Sequence, residues 1–171
     1  MKLQDFGYTP ELEKFRIEHH LDDFEIGRVT AEHKERYIVK TGEKELEAEI
    51  TGNLRYTAES REDFPAVGDW VALTVYDQNF AIIQKILPRF SVLKRQAAGN
   101  STEVQVIAAN IDYAFILQAV DRDFNINRLE RYLTICYTAK VKPVIVLSKT
   151  DLLPPEVVSG LLEKITSRIG D

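Results

Sequence analysis

Pro143-Val144-Ile145-Val146-Leu147-Ser148-Lys149-Thr150-Asp151-Leu152-Leu153-Pro154 changes character twice: an apolar run gives way to a polar tetrapeptide, which gives way to a proline turn. Val144 to Leu147 is rich in β-branched residues and too short for a helix, so it predicts a buried strand. Pro154-Pro155 then opens a helix whose apolar face is Val158, Leu161, Leu162, Ile165 and Ile169. Upstream, Leu129, Tyr132, Leu133, Cys136 and Tyr137 recur at i, i+3, i+4, i+7 and i+8, with Asn127 and Glu130 spaced as a capping box at the start. Before that helix, Ile111 to Val120 is a nearly continuous apolar run, the pattern of a strand covered on both faces. Strand, helix, strand, helix implies a right-handed crossover and a parallel sheet with packed helices. Two parallel strands make a poor sheet, so residues 111–171 are expected to be the first part of an α/β domain rather than all of it.

The period upstream is two. Ile26 to Val29, Tyr37 to Val39, Leu46-x-Ala48-x-Ile50, Val71-x-Leu73-x-Val75 and Ala81 to Ile83 are short β-type runs separated by Gly, Asp or Asn turn signals. Asn53 to Val67 is long enough to hold a turn of helix between the third and fourth runs. This pattern suits an all-β OB-fold barrel over residues 24–90, with an SH3-like barrel as the main alternative, and closure removes the exposed edges of an open sheet. Thr9-Pro10 caps a short helix carrying Leu12, Phe15 and His19, so residues 1–23 read as a helical leader. His19-His20 point to different helix faces and read as surface residues rather than metal ligands. Residues 91–110 read as a basic linker: Arg89, Lys94 and Arg95 fall in a stretch from Pro88 to Gly99 that holds no acid.

The formal net charge is −5, with 44% hydrophobic and 29% charged residues. That balance argues against coating nucleic acid by bulk electrostatics, although local basic clusters are still available to do it. No apolar run is long enough to span a bilayer, and no signal segment follows Met1, so a cytoplasmic protein without membrane contact is expected. The lone Cys136 lies in an apolar helical stripe and reads as a buried structural thiol. No metal-ligand set is expected in these residues.

Ser148-Lys149-Thr150-Asp151 falls at the carboxyl end of a buried parallel strand, where open α/β sheets hold their ligands. An ionised Asp only accepts hydrogen bonds, so Asp151 can take two from the ring N–H and exocyclic amine of guanine, a donor pair adenine lacks. Lys149 can lay its stem along the base while its ammonium ties neighbouring loops. The bland alternative is a polar strand-to-helix loop. No glycine in the sequence is followed by lysine, so the phosphate-cradling G-x-x-x-x-G-K-[ST] is absent, and Asp-x-x-Gly is absent too. Either the guanine motif precedes its phosphate loop in a circularly permuted domain, or the chain is no GTPase.

Phe64-Pro65-Ala66-Val67-Gly68-Asp69-Trp70-Val71, Lys94-Arg95-Gln96-Ala97-Ala98-Gly99, Ile107-Ala108-Ala109-Asn110-Ile111-Asp112, Asn127-x-Leu129-Glu130-Arg131-Tyr132-Leu133 and Pro143 to Leu153 together resemble the ribosome small-subunit-dependent GTPase A family, RsgA. The resemblance runs from about Gly27 onward, with the motifs in family order. It implies an OB barrel followed by a partial, circularly permuted P-loop GTPase domain, with a zinc module further on. It also implies GTP and Mg2+ as ligands, Zn2+ in that last module, and the small ribosomal subunit with its rRNA as partner, in late subunit assembly. Ser148, Lys149, Thr150 and Asp151 would bind guanine, with Ser148 standing where GTPases generally prefer Asn. No catalytic residue is assigned within these 171 residues, which are expected to be inactive alone. A monomer is expected for the longer protein, and self-association for this stretch.

OB modules commonly contact RNA through strands 2 and 3 and the adjoining loops. In this sequence those positions offer His33, Lys34, Arg36 and Lys40, with Arg55 and Arg61 in the insert and Arg89, Lys94 and Arg95 in the basic stretch. Trp70, directly after Gly68-Asp69, reads as a core aromatic before a stacking platform. The competing class is a non-enzymatic OB-fold adaptor for RNA or protein. A phosphate loop downstream in the gene would separate the two.

Overall fold

The computed structural model describes residues 2–96, 104–122 and 124–169. The chain divides into two compact units, Met1–Ile111 and Asp112–Asp171.

In the first unit, β1 (Glu25–His33), β2 (Arg36–Thr41), β3 (Glu45–Ile50), β4 (Trp70–Val75) and β5 (Phe80–Ile86) close into a barrel of order β1-β2-β3-β5-β4. All neighbours are antiparallel except β3 and β5. Alternate residues face inward, and Val29, Tyr37, Val39, Leu46, Ala48, Ile50, Val71, Leu73, Ala81 and Ile83 fill the interior. The insert between β3 and β4 carries α2 (Gly52–Thr57) and a 3-10 turn at Arg61–Asp63. Asp63 Oδ2 accepts the Glu59 and Ser60 amides at 3.0 and 2.9 Å, which holds that carboxyl below its ordinary range.

Residues 3–21 carry side chains packed against the barrel. Helix α1 (Pro10–Glu18) has Pro10 in its first turn behind the Thr9 cap, and Tyr8, Leu12 and Leu21 form a second cluster with Ile26, Trp70, Ala72 and Leu87. Trp70 is fully buried and meets the Tyr8 ring edge-on at 5.0 Å.

The stretch read from sequence as a basic linker contains an antiparallel pair, β6 (Val92–Gln96) and β7 (Val104–Ala109). Buried polar contacts bind it to the barrel unit. Arg28 donates to the carbonyls of Gly68 at 3.2 Å, Asn110 at 2.5 Å and Phe6, and its guanidinium lies 5.7 Å from the Trp70 ring centre. The Ala109 amide donates to the Val67 carbonyl at 2.8 Å. Linker composition misleads because each cation of this stretch with a carboxylate or amide partner finds it outside its own strand.

The second unit has β8 (Tyr113–Ala119), α3 (Ile126–Thr138), β9 (Lys142–Ser148) and α4 (Pro155–Ile169), with β8 and β9 parallel. Three expectations need correction. The α3 cap is Asn125, whose side chain accepts from the Arg128 amide at 3.1 Å; Asn127 and Glu130 instead face Arg168, which donates to both. Strand β8 is covered on one face only, with Tyr113, Phe115 and Leu117 at 57%, 71% and 71% exposure, because the two helices leave the other face of a two-stranded sheet open. For the same reason only Ile165 of the α4 apolar face is fully buried. Among the described residues no helix is long and apolar enough to cross a membrane.

Candidate functional site

Strands β8 and β9 run in register from Tyr113↔Lys142 to Ala119↔Ser148, so their carboxyl ends finish side by side. The Val120 amide donates to the Ser148 carbonyl at 3.1 Å, extending the pairing one step beyond the strands. The chain then turns sharply. Lys149 adopts the left-handed conformation (φ 59°), uncommon for a non-glycine residue, and Thr150–Leu152 forms a 3-10 turn. This kink leaves Thr150 and Asp151 exposed at the sheet's end. The Lys149 ammonium sits 2.6 Å from Asp121 Oδ2 in the loop after β8, so one ion pair spans the two strand ends. Below it, the buried Gln118 accepts from Arg128 at 3.2 Å and donates to the Ala119 carbonyl at 3.0 Å, bracing the β8 end against α3.

Sequence reasoning singled out the tetrapeptide but missed Asp121, Gln118 and Arg128. A signal for them was present: the strand ending at Val120 is parallel to the one ending at Ser148, and the loops after adjacent parallel strands share one rim. The arrangement offers an exposed acceptor-only carboxylate at Asp151 beside a lysine stem held in one direction, a pair suited to the donor edge and face of a planar base.

The nine barrel-unit cations do not form one patch. His33 ends β1 opposite Arg36, and Lys34 and Glu35 form the two-residue loop between them with φ 50° and 67°. Arg36 lies 3.7 Å from Glu49, and Arg55 pairs with Glu35 at 2.7 Å. Arg61, exposed in the insert, senses Glu32 and Tyr37 electrostatically. These five gather at one end of β2, while the half-buried Lys40 is at the other. Arg89 is structural: it makes a bidentate pair with the fully buried Asp69 at 2.8 and 2.6 Å and donates to the Glu62 and Phe64 carbonyls at 2.7 and 2.8 Å. Lys94 pairs with Glu62, and Arg95 donates to Gln105 at 3.2 and 3.1 Å. Burial pushes the Glu32 carboxyl above its ordinary value, an effect Arg61 partly offsets, and burial also raises the Tyr37 phenol. Among the described residues no group of three or more His, Cys, Asp or Glu could hold a metal ion.

A family model described as RsgA GTPase matches residues 86–170. The small ribosomal subunit biogenesis GTPase RsgA 1 of Oceanobacillus iheyensis is 46% identical over 128 residues, which cover 74% of this chain and 36% of that protein. RsgA 2 of Lactiplantibacillus plantarum is 48% identical over 127 residues, again 74% of this chain and 36% of the relative. The chain thus spans little more than a third of the length of these relatives. Among solved structures, YjeQ from Thermotoga maritima superposes with a TM-score of 0.62 at 20% identity, covering 84% of this chain and 48% of that one. YloQ, described as a circularly permuted GTPase, gives 0.59 at 20% identity over 87% of this chain and 49% of its own.

Proposed function

Because the chain belongs to the RsgA GTPase family, we propose that it is the barrel and guanine-reading part of a GTPase that acts in late assembly of the small ribosomal subunit. The barrel is the family's OB module, the second unit is the start of a circularly permuted GTPase domain, and the protein works in the cytoplasm on the subunit and its rRNA. GTP is the substrate and GDP the product. Hydrolysis needs a phosphate-binding loop, and these 171 residues contain none, so alone they bind GTP weakly and do not turn it over. Mg2+ accompanies the nucleotide, and Zn2+ belongs to a further module of the family.

The observation that carries the reading is the position of Asp151. Its carboxylate stands exposed on a tight turn after β9, next to a lysine whose ammonium is tied to Asp121 across the ends of both parallel strands. A guanine edge meeting Asp151 gains two charge-assisted bonds, while the Lys149 stem covers the ring. His33, Lys34, Arg36, Arg55 and Arg61 at one end of the barrel are the RNA-facing cations, with Lys40 and Arg95 more peripheral. Arg89 and Lys94 are taken up by Asp69 and Glu62 and contribute by shaping the surface.

The test is Asp151→Asn in the full-length protein. Two bonds to a charged acceptor are together worth about 3 kcal/mol, so GTP affinity falls on the order of 100-fold and xanthosine triphosphate gains by comparison. An unchanged preference for GTP over its xanthine analogue would remove Asp151 from the role.

A further inference from the structure

The β1–β2 ladder shifts register between Val29 and Ala31, and beyond that bulge Glu32 lies directly opposite Tyr37. Directly opposed residues point to the same face of a sheet, and Tyr37 points into the barrel. The extra residue therefore swings Glu32, a carboxylate near a strand end, to the core side at the barrel's mouth. The Tyr37 hydroxyl beneath it is buried and has no hydrogen-bond partner.

Glu32 borders a cavity of about 350 Å³ whose other walls come from the insert (Arg61, Phe64, Pro65, Ala66) and from β7 (Val104, Gln105, Val106). That volume lies at the small end of the usual ligand-pocket range, enough for one planar ring system. The walls are fixed from behind: Arg89 grips the Glu62 and Phe64 carbonyls, and Lys94 grips the Glu62 carboxylate. Two opposite charges, Glu32 and Arg61, line this cavity beside Phe64, Pro65, Val104 and Val106. Arg61 has no hydrogen bond or ion pair to another described side chain, and Glu32 lies near enough to feel its field yet forms no ion pair with it.

We propose that this cavity is a nucleobase site selective for guanine, taking a base splayed out of single-stranded RNA. The proposal rests on the reading of the barrel as the RNA-contacting module. A carboxylate is best satisfied by two adjacent donors and a guanidinium by two adjacent acceptors. Guanine is the base that presents both, N1–H with N2–H2 on one edge and O6 with N7 on another. Glu32 takes the donors, Arg61 takes the acceptors, and Phe64, Pro65, Val104 and Val106 cover the ring faces. This site is separate from Asp151, which lies in the other unit.

The experiment uses the 171-residue chain carrying Asp151→Asn, so that the other guanine reader is silent, and measures binding of the pentamers UUGUU, UUAUU, UUCUU and UUUUU and of GMP by fluorescence anisotropy or calorimetry. UUGUU is expected to bind about 10-fold or more tightly than the other three. Glu32→Gln should erase that preference, and Arg61→Ala should weaken UUGUU about 10-fold while changing UUUUU little. Both residues are exposed enough for the variants to fold, which circular dichroism would verify. Comparison of GMP with UUGUU decides whether the base arrives free or within RNA. Equal binding of all four pentamers, unmoved by either substitution, overturns the guanine pocket and leaves the RNA-facing barrel standing. No binding of any pentamer removes both, and leaves a protein partner as the occupant of that face.

Discussion

Gly68 has φ +93°, and a Cβ built on it would lie 1.9 Å from the Ala109 carbonyl oxygen. Two demands meet there: a left-handed backbone and the close approach of β7 to the start of β4. Gly68→Ala is therefore expected to cost more than about 2 kcal/mol in denaturant unfolding, with the loss concentrated in amide protection of β6 and β7. Beside it, Asp69 is fully buried against Arg89, and removing one member of such a pair leaves the other charge stranded. Asp69→Ala should cost about 3–5 kcal/mol, read from the same unfolding curves. Glu32 behaves in the opposite sense. Its folded carboxyl keeps its proton to a higher pH than in the unfolded chain, whose ordinary value is 4.5. The stability linked to it is complete below that value and is lost as pH rises through the folded one. Thermal melts of Glu32→Gln should thus gain on the unsubstituted chain between acid pH and neutrality, and a gap that stays constant with pH would contradict the assigned shift. Gly68 and Asp69 belong to the Phe64–Val71 run that resembles the family, but their physical tasks depend on partners 20 and more positions away.

At the scale of elements, helix α3 shows where a sequence pattern picked the right helix and the wrong first residue. Asn125 and Asn127 are both good caps by type, and the Glu130 spacing favours Asn127, yet the Arg128 amide bonds to Asn125. Glu130 is instead engaged with Arg168, near the end of α4, at 2.6 Å, a partner 38 positions away in sequence. Asn125→Ala is expected to cost about 1 kcal/mol by losing the cap, and Asn127→Ala less, a difference that equilibrium unfolding resolves. Strand β8 shows the complementary effect. Its apolar run predicts cover on both faces, and the run is real, but one face, Tyr113, Phe115 and Leu117, is open in the described residues. Composition records what a strand would bury in a complete sheet, whereas exposure depends on which elements are present to cover it.

At the scale of the molecule, the family match begins at Ile86, inside the barrel's last strand, while the compact units divide at Ile111. The two boundaries differ because β6 and β7, within the matched region, are held to the barrel unit by Arg28, Gly68 and Asn110. The open β8 face leads to a further expectation: sedimentation should show concentration-dependent association of this chain, reduced when Phe115 and Leu117 are replaced by lysine. By itself the sequence determined the period-two runs that close into five barrel strands, the alternation that makes the parallel pair, the Thr9 cap and the place of the polar tetrapeptide ending in Asp151 at the carboxyl end of a strand. These are local properties, set by side-chain type and spacing within a few residues. Only the tertiary structure decided that the basic stretch is a docked hairpin, that Arg89 serves Asp69 while Arg61 stays open, that Asp121 holds Lys149, and that a bulge turns Glu32 toward the barrel mouth. Each of those depends on groups far apart in sequence sharing one low-dielectric neighbourhood, where satisfying a buried charge or carbonyl outweighs any preference the residue carries alone.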